Sequence, residues 1–210
     1  MNIPSNQDFA TEVKFDRLKV LWRVTIILSL IAGWIVLNAA MLQRMELVRP
    51  LLPVALMIGG SLMTRFFLNR NHYVRAAWIY ILAALVALTL LLTVSTLEMI
   101  NVYIFFYAMI IFIVGLLLPP TNTLLLALVS SLLLTLVPAT VLGGMDYFGP
   151  PQIAAIVMTF LAAIISMQVT GDLYQIAEWA LQNYQRERRV AAELFDSRKK
   201  EEKGFVRARA

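Results

Sequence analysis

The feature that most limits what this chain can fold into is a set of six long apolar blocks, none of which contains Asp, Glu or Lys. They run over residues 21–42, 50–68, 76–96, 100–118, 123–142 and 152–170. Roughly 20 apolar residues cross the hydrocarbon layer as a helix. Inside that layer the backbone N–H and C=O groups have no water to bond, so a spanning segment must satisfy them within itself. The blocks are continuous runs, not the alternating ten-residue segments of a barrel. The expected fold is an all-α membrane protein, a six-transmembrane-helix bundle with a long cytoplasmic C-terminal helix. The composition agrees: 60% of residues are hydrophobic and 15% charged, against about 45–50% and 25% in soluble domains.

The links between blocks are short, which predicts antiparallel neighbours with no external domain between spans. Pro50 and Pro53 are expected in the first turn of span two, where a missing N–H is tolerated. Pro119-Pro120-Thr121-Asn122 reads as a turn between spans four and five, and Gly143-Gly144-Met145-Asp146 opens the link to span six. Pro138 predicts a kink or an early end in span five. The resulting division is a cytoplasmic N-terminal segment over 1–20, either an interfacial helix or a flexible basic lead-in. The bundle follows over 21–170, then a linker helix over 171–204 and a frayed tail over 205–210.

Basic residues set the orientation of such a bundle. Of the 18 Lys and Arg, only Arg44 and Arg49 fall on one side of the six-span arrangement. The rest flank span one, the link between spans two and three, and the C-terminal stretch. Both termini are therefore expected in the cytoplasm.

Catalytic chemistry is not legible. No phosphate-binding loop, zinc-protease motif or nucleophile elbow occurs. With no cysteine and one histidine, His72, thiol chemistry, Cys-type zinc sites and multi-histidine metal sites are excluded within one chain. No cofactor, no metal and no nucleic-acid partner is expected, and the chain reads as a non-enzyme. Arg23 and Arg65 lie at span ends, so no mid-span charge marks an ion path. His72 reads as a loop histidine at headgroup level. A ligand pocket for a small apolar molecule is considered at Tyr103, Phe106 and Tyr107, against ordinary packing and an interfacial belt. The small-xxx-small pairs Ser29 and Gly33, Gly60 and Thr64, and Ala83 and Ala87 predict close helix contacts. Asn101, Gln168 and Thr170 are expected to bond neighbouring helices.

After span six the chain has no proline and no glycine between Gly171 and Gly204, which predicts a helix. Leu173, Ala177, Ala180, Tyr184, Ala191 and Leu194 recur at steps of four and three, with Glu187 filling the gap. This reads as a weak seam with a polar gap, for which the functional reading is a signalling or dimerisation helix and the alternative a solvated charged helix that anchors the last span.

The stretches Thr170-Gly171-Asp172-Leu173-Tyr174, Ala177-Glu178-Trp179-Ala180-Leu181 and Asn183-Tyr184-Gln185-Arg186-Glu187-Arg188 resemble the junction that follows the six-span N-terminal sensor region of bacterial histidine kinases. The resemblance covers roughly residues 115–203. It implies a signal-input module of the bacterial inner membrane, with a helical linker for output. The sequence departs from that family in lacking the phospho-acceptor His-Glu-x-x-x-Pro box and the ATP-binding domain. The expectation is a sensor module without kinase activity, partnered by the lipid bilayer and by a second copy or other membrane chains. A structural accessory subunit of a respiratory or photosynthetic complex is the alternative.

Overall fold

The computed structural model describes residues 6–43, 48–142 and 149–208. Within them the side chains of some helical residues, Leu173 and Ala177 included, lie outside the description. The expected loop at Gly143–Asp146 and the last two residues of the tail also lie outside it. The described residues are helical throughout apart from short turns, with no strand among them. The helices are α1 (Asn6–Gln43), α2 (Val48–Asn69), α3 (Tyr73–Val94), α4 (Leu97–Tyr103), α5 (Phe106–Leu117), α6 (Pro120–Leu142) and α7 (Pro150–Ala208). Six stretches are long and apolar enough to cross a membrane, the fourth comprising α4 and α5 together. The chain divides into two compact units, 1–170 and 171–210, and each is described by itself.

In the first unit α3 is the central element, touching α1, α2, α4, α5 and α6. Its sequence explains the position. Ala76 and Ala77, Tyr80 and Ile81, Ala84 and Leu85, and Ala87 and Leu88 are buried as adjacent pairs, turn after turn. A stripe two residues wide faces partners over a broad arc. Its alanines admit a close neighbour: a Cβ built on Gly60 of α2 would run into the Ala83 side chain. Gly33 of α1 similarly lies against Val54 of α2, with 3.3 Å to a hypothetical Cβ. In lipid, where apolar burial gives no preference for one neighbour, such small-residue contacts let backbones approach. The small pairs on α1, α2 and α3 are thus packing sites.

Hydroxyl groups tie the helices across their contacts. Thr25 of α1 and Tyr80 of α3 share a hydrogen bond of 2.7 Å. Thr89 of α3 and Tyr107 of α5 share one of 2.8 Å, and the Thr170 hydroxyl donates to the Gly115 carbonyl at 2.9 Å. Other buried hydroxyls bond within their own helix, as Thr64 donates to Gly60 O and Thr159 to Ala155 O. This back-bonding satisfies a polar group where no water is available.

Four elements differ from the sequence reading. Span one does not begin at residue 21: α1 takes in residues 6–20 and the span as one helix. Leu18 is fully buried, and the Phe15 ring lies 6.5 Å from that of Tyr73, so tertiary contacts hold the basic lead-in helical. Pro53 lies past the first turn because α2 starts at Val48. Of the kink or early end expected at Pro138, the early end does not occur: α6 continues through Pro138 to Leu142.

The fourth span is the fourth difference. It is divided at Ile104 and Phe105, where the hydrogen bonds shorten to the three-residue pattern: Phe105 N to Val102 O, Tyr107 N to Ile104 O and Ala108 N to Phe105 O. No proline or glycine lies there. The cause is the buried seam Ile100, Ile104, Tyr107, Ile111, Val114 and Leu118, spaced alternately by four and three. A straight α-helix drifts about 20° per heptad from such a seam. A 3₁₀ step rotates roughly 120° rather than 100°, so a local tightening restores the register against the core.

Candidate functional site

The residues considered for an apolar ligand pocket do not share one face. The Tyr103 and Phe106 rings meet at 6.2 Å, tilted by 47°, and Phe106 is exposed. Tyr107 points the other way. It is fully buried, and its hydroxyl is engaged by Thr89. Tyr103 and Phe106 form an aromatic pair on the rim of span four, whereas Tyr107 is a core side chain. Trp34 is largely exposed on α1.

In the second unit, residues 171–208 are helical. Of the seam residues, Ala180, Tyr184, Ala191 and Leu194 are exposed; Leu173 and Ala177 lie outside the described side chains. The Arg188 guanidinium lies 5.3 Å from the Tyr184 ring centre, a cation–π contact that keeps the ring at the surface. Ile176, Trp179 and Val190 are exposed in the same unit.

A concave site that the sequence alone did not indicate lies at one end of the first unit. The chain ends α2 with a Schellman motif. Asn71 takes a left-handed conformation at φ 59°. His72 N bonds to Phe67 O at 3.0 Å and Asn71 N to Leu68 O at 3.0 Å. Asparagine is one of the few residues that tolerates this backbone. His72 then caps α3 through its carbonyl, which accepts from Ala76 N. One residue on, the Tyr73 hydroxyl donates to Leu117 O at 2.8 Å, satisfying a carbonyl that the end of α5 leaves without an intrahelical donor. The next turn is closed by Pro119 O, which accepts from Asn122 N and Thr123 N.

Between these two turns and α1 is a cavity of about 540 Å³. Its lining is mostly apolar, with Leu117, Leu118 and Pro119 on one side, and Lys14, Asn71, His72, Arg75 and Asn122 bring the polar groups. The same end of the unit carries a band of arginines laid over aromatic rings. Arg23 and Arg65 both approach Trp22, at 5.7 and 5.4 Å, and Arg70 lies 4.3 Å from Phe66. His72 is thus a capping residue that also lines a cavity. The signal for this site was present as the run Arg70-Asn71-His72-Tyr73-Val74-Arg75. The convergence with Lys14 and Asn122 was not, because it depends on which helix ends meet.

Among the described residues no group of three or more His, Asp or Glu is close enough to hold a metal ion. No family model, no curated protein and no solved structure matches this chain.

Proposed function

We propose that this chain is a non-catalytic signal-input module of a bacterial inner membrane, with both termini in the cytoplasm and residues 171–203 as its output helix. The observation that carries the reading is α7, Pro150–Ala208, a helix that takes in both the last span and the tail. In the proposed relay, a shift of the last span is passed to the helical segment that follows it in the sequence. Exposed Ile176, Trp179, Tyr184, Val190 and Leu194 support the second part of the reading. A charged helix that only anchors a span has no need of them, and a second copy of the helix would cover them. For such a relay to work, a stimulus must bind two arrangements of the bundle with different affinity.

The chain has no cysteine, so single cysteines introduced along 176–196 report without background. Oxidation in native membranes is expected to cross-link Ala180→Cys, Tyr184→Cys, Ala191→Cys and Leu194→Cys, and to leave Gln182→Cys and Arg189→Cys largely monomeric. Cross-linking without that periodicity overturns the seam. If stoichiometric co-purification with other membrane chains accompanies that result, the accessory-subunit role takes its place.

A further inference from the structure

We propose that the cavity between α1, the α2–α3 turn and the α5–α6 turn binds a phosphate-bearing anion, either the headgroup of an acidic phospholipid or free phosphate. Three separate segments converge on it with complementary chemistry. The α1 helix supplies the Lys14 ammonium, the α2–α3 segment supplies the His72 imidazole and the Arg75 guanidinium, and Asn71 and Asn122 add amides. A guanidinium offers two parallel N–H donors to a phosphate, and an ammonium adds a point charge. No carboxylate is present among the described residues lining the cavity.

Charges that only orient a bundle can lie anywhere on its basic face. These line one half-open cavity, and its volume of about 540 Å³ falls within the usual range for a small-ligand site. The walls are also fixed before any ligand arrives. The Schellman turn at Asn71 sets the path of the chain, and the Tyr73 bond to Leu117 O locks the start of α3 to the end of α5. The level in the bundle suits the ligand. The cavity lies where the candidate spans Arg49–Asn69 and Glu98–Leu117 end and Tyr73–Val94 and Pro120–Thr140 begin. If these stretches span the bilayer, that is the depth of its phosphate layer, and basic pockets between span ends bind acidic headgroups there. The wall formed by Leu117, Leu118 and Pro119 would lie beside the glycerol and upper acyl region of such a lipid.

The test uses the full chain in a neutral detergent. Native mass spectrometry follows retention of phosphatidylglycerol against phosphatidylcholine of the same acyl chains, and thermal unfolding is followed with added inorganic phosphate. Preferential retention of phosphatidylglycerol is expected, with its affinity falling about tenfold in Lys14→Gln/Arg75→Gln. The tail variant Arg186→Gln/Arg188→Gln removes the same charge elsewhere and is expected to retain it fully. Stabilisation by inorganic phosphate that also displaces the lipid identifies free phosphate as the source; stabilisation by lipid alone identifies the headgroup. Should the double variant not fold, Asn122→Asp, which puts a carboxylate into the site, is expected to lower retention instead. Equal retention of the two lipids with no effect of phosphate, or equal losses in the cavity and tail variants, would overturn the proposal.

Discussion

A methyl group at position 115 has no room. A Cβ built there would overlap Ser166 and lie 3.3 Å from the Thr123 methyl, at the point where α5 meets residues of α6 and α7. Gly115→Ala is therefore expected to destabilise the bundle by about 1–3 kcal/mol, the usual cost of overpacking. Gly59 offers the opposite sign, since a Cβ there meets nothing within 4 Å. Gly59→Ala is expected to stabilise by about 0.5–1 kcal/mol through reduced backbone entropy in the unfolded chain. Unfolding in mixed detergent micelles measures both, and equal effects at the two positions would refute the packing account. The Thr89–Tyr107 pair gives a second residue-scale prediction. Thr89→Val leaves a fully buried phenol without its interhelical partner and is expected to cost about 0.6 kcal/mol, the average for such bonds in lipid. Because Tyr107→Phe removes the other half, the double variant should recover part of the loss in a mutant cycle.

The turns carry more of the specification than the spans do. Asn71→Ala forces a Cβ-bearing, non-polar residue into the left-handed region and is expected to cost about 1–2 kcal/mol, whereas Asn71→Gly should be close to neutral. Thermal unfolding distinguishes them, and a harmless alanine would show that the turn is held from outside. The spans themselves were legible because hydrocarbon leaves little choice: a long apolar run without acids must be helical. That Gly60 and Ala83 lie on closely packed faces was legible too, since small residues four apart mark such faces, but not that the two meet each other. What could not be read is instructive. Gly115 sits among leucines, with Ile111 and Pro119 at the positions four away, so it has no small partner on its own helix. Its partners, Ser166 and Thr170, come from a distant span. The tightening at Ile104 and Phe105 has no breaker residue, because its cause is a tertiary seam rather than a local preference. The cavity joins Lys14, Arg75 and Asn122 across more than a hundred residues, and only the arrangement of helix ends brings them together.

At the scale of the whole molecule, the even number of candidate spans decides where the tail can act. In the proposed topology an even count returns the chain to the side on which it began, which would put the tail in the same aqueous compartment as the basic band at Arg23, Arg65 and Arg70. The distribution of Lys and Arg is the reason for proposing that this compartment is the cytoplasm. This matters for both proposals, since an output helix needs cytoplasmic access and an acidic headgroup site belongs to the more anionic inner leaflet. The absence of native cysteine again makes the measurement direct. Thr96→Cys lies in the link between α3 and α4, and Thr121→Cys at the start of α6; both residues are exposed. Ser197→Cys reports on the tail. An impermeant thiol reagent applied to intact cells is expected to label Thr96→Cys alone, with Thr121→Cys and Ser197→Cys labelled only after the membrane is opened. Labelling of Ser197→Cys from outside while Thr121→Cys stays protected would mean an odd number of crossings, which would separate the tail from the basic face and remove the basis for a relay.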